Sequence, residues 1–319
     1  MKINLKTYLQ KLKVTAPSLN EASVEEKLDF LKLIYAAHVQ TIPYSNSELR
    51  EISKQHLIQR SPLSFFSYPK LLSSETGGYC FQTAALLFDA LTQLGYSVSL
   101  CTARVLLGAM PNAPEILRLP PTHLVLIVEI TDRKILLDPG LGSSAPRFPI
   151  IVTGENEAII QNDEAFKFYL SEDVYVLEKQ TRQGWFRLMQ TDLVPISLEK
   201  AAMNLLKLER FPEKLPIRDT KTVFGIITQH GRKALIWDAQ SNQLKYSANQ
   251  GEKHTQKVVT FEEGHQILAQ EFGIEHISAE CLEVYCTELY PMPIKPWTIE
   301  FPLDAMEMKK LQENLNYHM

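Results

Sequence analysis

At Gly95 the hydrophobic period of the chain changes, and that change limits the folds open to it. Before it, Leu28, Phe30, Leu31, Leu33, Ile34 and Ala37 form a helical stripe between Glu25 and Gln40, closed by Pro43. Phe81, Ala84, Ala85, Leu87, Phe88, Leu91 and Leu94 form a second stripe from Cys80 to Leu94, and Gly95 stands where a left-handed helix cap is expected. After it, the segments YSVSLCTARVLLG, HLVLIVEI, KILLDPG, AFKFYL, VYVLEKQ and WFRLMQ read as short strands separated by Gly, Pro, Asp and Asn. Such strands suggest a sheet that curls or closes into a barrel. A helical piece near 198–208, two more strands (TVFGIITQ and KALIWDA) and the helix FEEGHQILAQEF before Gly273 complete the pattern. The expected organisation is α+β: a helical unit over 1–95, a β-barrel over 96–200, an α/β unit over 201–275 and an extension over 276–319. In that extension PMPIKPW and a polar helical end have no evident partner.

Composition narrows the function classes. The 319 residues are 45% hydrophobic and 22% charged, the balance of a soluble globular protein. A formal charge of −4 argues against a nucleic-acid or membrane-surface binder, since either favours a basic excess. No apolar run nears the roughly 18 residues of a membrane span, and MKINLKTYLQKLK lacks the apolar run and cleavage site of a secretory signal. Cys80, Cys101, Cys281 and Cys286 show neither metal-ligand nor disulfide-framework spacing, which suits reduced thiols in a cytoplasmic protein without a bound metal. Small molecules or proteins are the expected partners.

The chemistry concentrates in three places. In Thr76-Gly77-Gly78-Tyr79-Cys80-Phe81-Gln82 the glycine pair suits a tight turn into the second helix, which sets Cys80 in its first turn. There the unpaired N–H groups and the positive end of the helix dipole favour a thiolate. His123 opens HLVLIVEI and Asp138 ends the next strand, and Thr131 to Lys134 between them are good turn formers. An antiparallel hairpin folded at that turn brings His123 and Asp138 close. The chain thus offers, in order, a nucleophile, a base and a carboxylate to fix the base's tautomer, a set suited to acyl transfer through a thioester. Plainer readings exist: a helical cysteine is usually a small buried hydrophobe, a lone histidine at a strand end is usually structural, and Asp138 before Pro139-Gly140 can simply start a turn. Gly140-Leu141-Gly142-Ser143-Ser144 is a weak phosphate motif, because no clear helix follows it.

The same residues carry a resemblance. TGGYCFQ resembles the nucleophile motif R-G-G-[YW]-C-[FL]-[EQ] of the arylamine N-acetyltransferase family. In the same chain order AHVQTIPYSN (37–46) resembles its A-H-…-I-P-F-E-N segment, GYSVSLCTARV its first barrel strand, PPTHLVLIVEI its histidine strand and LLDPGLGSS its D-x-G-F-G segment. The resemblance implies a three-domain fold, helical bundle, β-barrel and α/β lid, around a transglutaminase- or cysteine-protease-like catalytic core. It implies Cys80 as the acetylated nucleophile, His123 as base and Asp138 as the orienting carboxylate. It places Phe81, Leu141 and Ser143 at the substrate, and Thr122 and Gly142 at the co-substrate, acetyl-CoA, with no metal. The reaction implied is ping-pong: acetyl-CoA acetylates Cys80, and an arylamine or arylhydrazine then attacks the thioester. The sequence departs from the family at Thr76 for arginine, Ser45 for glutamate and Leu141 for an aromatic residue, and AAMNLLKLERFPEKLP stands where N-W-x-T-S-x-x-P-x-S-x-F is expected. Two other readings stay open: a cysteine hydrolase or amide-forming acyltransferase with a non-CoA donor, and a non-catalytic descendant that binds a protein partner through the 276–319 tail.

Overall fold

A computed structural model of the chain describes residues 2–49, 68–73, 75–210, 215–251 and 253–287. Helices α1 (Leu5–Leu12), α2 (Val24–Thr41), α3 (Tyr68–Ser73) and α4 (Cys80–Gln93) lie in the first ninety-odd residues. A capping box opens α2: Ser23 Oγ accepts from the Glu26 N–H at 3.2 Å and the Glu26 carboxylate from the Ser23 N–H at 2.7 Å. Past the end of α4, Gly95 takes φ +90°, and its N–H bonds the Thr92 carbonyl at 3.1 Å.

The next segment is a sheet of β2 (Ser97–Val105), β3 (His123–Ile130), β4 (Arg133–Leu137), β5 (Ile150–Ile151), β6 (Ile159–Gln161), β7 (Glu164–Ser171), β8 (Val174–Thr181) and β9 (Gly184–Thr191), preceded in the chain by the short β1 (Tyr44–Ser45). They run in the order β5-β4-β3-β2-β9-β8-β7-β6, with β10 (Pro195–Ile196) also on β2, and the path curls into a nearly closed barrel. Cys101, Ala103, Val125, Ile127, Phe166, Phe168, Leu177 and Met189 share its interior core. Leu100, Leu124, Leu126, Val128 and Leu137 face the other way and join the helices in a second core. Strand β3 is therefore buried on both faces, which is why it reads as an almost unbroken apolar run and does not alternate.

A second sheet runs β1-β11-β12-β13-β14, where β11 is Lys221–Thr228, β12 Gly231–Asp238, β13 Gln243–Gln250 and β14 Lys253–Val259. Tyr44 and Ser45 pair with Gly225 and Phe224, so the helical segment lends this sheet an edge strand. The sequence reading expects only two strands here. It misses β13 and β14 because their residues are largely polar, with β14 exposed along its length except at Val259. Within the 276–319 extension, the short helix Ala279–Thr287 inserts Leu282 and Cys286, with Ile277, into the core built by Trp237, Leu268 and Phe272. Residues 288–319, including PMPIKPW and the tail expected to take a protein partner, lie outside the described residues.

Candidate active site

The backbone packing before α4 explains the glycine pair, though for a reason other than turn dihedrals. Neither glycine has positive φ; a Cβ on Gly77 would lie 2.7 Å from the Pro43 carbonyl oxygen and 2.8 Å from Ser45 Cβ, and one on Gly78 2.8 Å from a Leu71 methyl. The Ser45 N–H donates to the Gly78 carbonyl at 2.9 Å and the Gly78 N–H to the Pro43 carbonyl at 3.0 Å. With that segment pressed against β1, the helix starts at Cys80, and Gln82 Oε1 turns back to accept the Tyr79 N–H at 3.1 Å. Cys80 is 6% exposed, and its Sγ faces the Thr122 carbonyl at 3.7 Å.

The hairpin of β3 and β4 supplies the partners. Ile130 pairs with Arg133 and Leu126 with Leu137, so the turn is only Thr131-Asp132; Lys134 lies in the strand, as KILLDPG suggests, and Arg133, which reads only as a turn former, joins the ladder with it. That register sets His123 near the residues just beyond Leu137. His123 Nε2–H donates to both Asp138 carboxylate oxygens, at 2.9 and 3.0 Å, and both side chains are buried. The Gly140 N–H adds a third bond to Asp138 Oδ1 at 3.1 Å. A Cβ on Gly140 would meet Cys80 Cβ at 2.5 Å, Cys80 Cα at 2.7 Å and His123 Cε1 at 2.9 Å, so only a glycine lets the chain after Asp138 cross both residues.

With Nε2 engaged by Asp138, Nδ1 is the ring nitrogen left for Cys80. Burial pushes the imidazole towards its neutral form, but the charge and hydrogen bond of Asp138 and those of Cys80 outweigh it and raise the His123 pKa to about 10. The ring is thus held as a proton donor at neutral pH. A sulfur nucleophile, an imidazolium and an orienting carboxylate in one enclosed space can take an acyl group on sulfur and move the accompanying proton.

The N-acetyltransferase family model matches residues 27–280. The chain belongs to the arylamine N-acetyltransferase family. It is 28% identical over 166 residues to the arylamine N-acetyltransferase of Escherichia coli, covering 52% of this chain and 55% of that enzyme. It is 24% identical to the pineal gland isozyme of Gallus gallus, over 77% and 87% of the two chains. The chain thus spans about half the length of several curated relatives it matches. The structure of the Mycobacterium marinum enzyme in complex with CoA superposes with a TM-score of 0.69 at 20% identity, covering 90% of this chain and 99% of that one.

The remaining sites expected from the family divide into three groups. Leu141 is half-buried between the two cores, and Gly142, at φ +57°, lies under the Tyr44 ring, where a Cβ would come within 3.2 Å. Ser143 and Thr122 stand nearby, with Thr122 Oγ1 accepting the Val105 N–H at 3.0 Å. Phe81, expected at the substrate, is the second residue of α4 and is fully buried in the helical core, its ring tilted against Tyr79.

Two of the departures from the family pattern are neighbours. Thr76 replaces a cation and Ser45 an anion, and Thr76 adjoins Gly77, which abuts Ser45. Opposite charges are therefore missing together, and Ser45 Oγ instead donates to Ser47 Oγ at 2.9 Å and accepts the Ser47 N–H at 3.1 Å. Sequence reasoning missed Tyr35, which looks like one more core position of the α2 stripe. Its buried hydroxyl shares its proton between the carbonyls of Asp138 (2.9 Å) and Pro146 (3.0 Å), closing the base of the loop that carries Leu141 to Ser143. Among the described residues no group of His, Cys, Asp and Glu could hold a metal ion, and no helix is long and apolar enough to cross a membrane.

Proposed function

We propose that this protein is an acetyl-CoA-dependent acyltransferase that acetylates an arylamine or arylhydrazine nitrogen by a ping-pong route through a thioester on Cys80. The observation that carries the reading is the pair of hydrogen bonds from His123 Nε2 to Asp138, with Cys80 packed beside the same ring under Gly140.

In the first half-reaction the Cys80 thiolate attacks the acetyl carbonyl of acetyl-CoA. The tetrahedral intermediate collapses by breaking the bond to the CoA sulfur, which takes the proton that His123 carries. In the second, the amine nitrogen attacks the Cys80 thioester, neutral His123 accepts the nitrogen's proton, and Cys80 leaves as thiolate beside the renewed imidazolium. Asp138 keeps Nε2 protonated throughout, so that Nδ1 is the atom that exchanges protons. Leu141 and Ser143 would contact the amine, and Thr122 and Gly142 the acetyl-CoA. The four cysteines are free thiols, which fits a reducing, cytoplasmic setting.

Initial rates measured over a grid of acetyl-CoA and aniline concentrations test the route. Parallel double-reciprocal lines are expected; lines that intersect, or amide formed only from a donor other than a CoA thioester, would overturn it.

A further inference from the structure

Away from Cys80, His123 and Asp138, a largely buried ion cluster grips the loop that carries Leu141, Gly142 and Ser143. Arg232, the second residue of β12, is 6% exposed and sends Nη1 to two carbonyls of that loop, Ser143 at 2.8 Å and Ala145 at 2.6 Å. Its other edge is a fork on Glu164, the first residue of β7: Nε donates to Oε1, and Nη2 to Oε2 at 2.5 Å. Glu164 also takes the Lys179 ammonium at 2.8 Å and Arg147 Nη2 at 3.4 Å, and the same Arg147 nitrogen bonds the Gly231 carbonyl at 3.2 Å. One guanidinium thus joins the barrel, the second sheet and the loop.

The loop has little other freedom. Tyr35 ties its two ends, the Tyr44 ring covers Gly142, and a Cβ on Gly225 would lie 2.6 Å from Ser143 N. A planar fork is needed to hold two carbonyls on one side and two carboxylate oxygens on the other, which a lysine ammonium on a flexible stem cannot do. Arg232 hydrogen-bonds Ser143, Ala145 and Glu164 and not Cys80, His123 or Asp138, so its influence runs through the position of the loop.

We propose that Arg232, oriented by Glu164, is a positioning residue that sets the acceptor side of the site by holding residues 141–145; this rests on the acetyl-transfer reading of the site. The loop carries both acceptor contacts, Leu141 and Ser143, and of the donor contacts only Gly142, while the nucleophile is built on α4 and the β3–β4 hairpin; at saturating acetyl-CoA the two half-reactions should therefore respond differently to the loss of Arg232.

The test compares the wild type with Arg232→Lys and Glu164→Gln. In Arg232→Lys the KM for aniline should rise roughly tenfold, since small misplacements of positioning groups have effects of this size. Acetylation of Cys80 at saturating acetyl-CoA should stay within about twofold of the wild type by rapid-quench mass spectrometry, because the triad's own contacts are untouched. Hydrogen exchange at the amides of residues 141–145 should accelerate. Glu164→Gln, which keeps Arg232 but loosens its fork, should move KM and exchange in the same direction by less, and serves where Arg232→Lys does not fold. An unchanged KM for aniline, a parallel fall in both half-reactions, or unchanged exchange in a folded variant would each overturn the proposal. Failure of the wild type to acetylate Cys80 would instead overturn the acetyl-transfer reading, with loop exchange still deciding whether Arg232 holds the loop.

Discussion

Asp138 acts on His123 twice, as the acceptor that fixes the Nε2–H tautomer and as the charge that keeps the ring protonated. Replacing Asp138 by Asn keeps the shape but removes both effects. Turnover is expected to fall by roughly two to four orders of magnitude in Asp138→Asn with the fold retained. Wild-type turnover in that variant would remove Asp138 from the reaction. The ring's titration, followed by its proton resonances, should have a midpoint near the value of about 10 and drop in the same variant. The sign for stability follows: a histidine whose folded pKa is raised contributes stability fully present below its unfolded value, roughly 6.5, and loses it as pH rises through about 10. Gly140→Ala probes the same contacts from the side. Its methyl must displace Cys80 or His123, so activity should fall by roughly a hundredfold or more, and a fully active Gly140→Ala would contradict the packing described.

At the level of elements, the β3–β4 hairpin is where sequence reasoning reached farthest. Apolar runs on both sides of Thr131-Asp132 and the positions of His123 and Asp138 at their outer ends were enough to bring the two together. The turn length was not fully readable, because Arg133 looks like a turn residue until the ladder is seen to include it. Thr131 takes φ +56°, a strained conformation for a β-branched side chain. Thr131→Asn should therefore stabilise the protein by about 1 kcal/mol and leave turnover unchanged; a lower unfolding temperature would show that the Thr131 Oγ1 bonds outweigh the strain. Less legible were contacts made by residues that look ordinary in their own element. Tyr35 sits in a helical stripe and Arg232 in a polar strand position, and only the fold brings either to the 138–146 loop.

For the whole molecule, the change of period at Gly95 made the succession of helical, barrel and α/β segments readable. The second sheet was half hidden, since strands with one solvated face and few apolar residues carry a weak signal, and the packing of Ala279–Thr287 had none strong enough to read. Acid stability also belongs to this scale. His38 is fully buried beside Tyr8, and burial lowers its pKa to about 3. The unfolded chain takes up that proton first, so stability should decline as pH falls from roughly 6.5 towards 3. Burial favours a neutral Glu164, but hydrogen bonds and charge from Arg232 and Lys179 prevail and lower it to about 2, so its contribution is lost as pH falls from roughly 4.3 through 2. In His38→Gln the decline in unfolding temperature between pH 6.5 and 4.5 should flatten; an unchanged slope would assign the acid sensitivity elsewhere.

In the proposed reaction Cys80 carries the acyl group between two substrates. The most direct measurement is mass spectrometry of the protein mixed with acetyl-CoA, freed of excess donor and then given aniline. One acetyl group on the Cys80 peptide is predicted, absent from Cys80→Ala, and it should disappear on addition of aniline as acetanilide forms. No adduct, an equal adduct in Cys80→Ala, or an adduct that aniline leaves in place would rule out that role for Cys80.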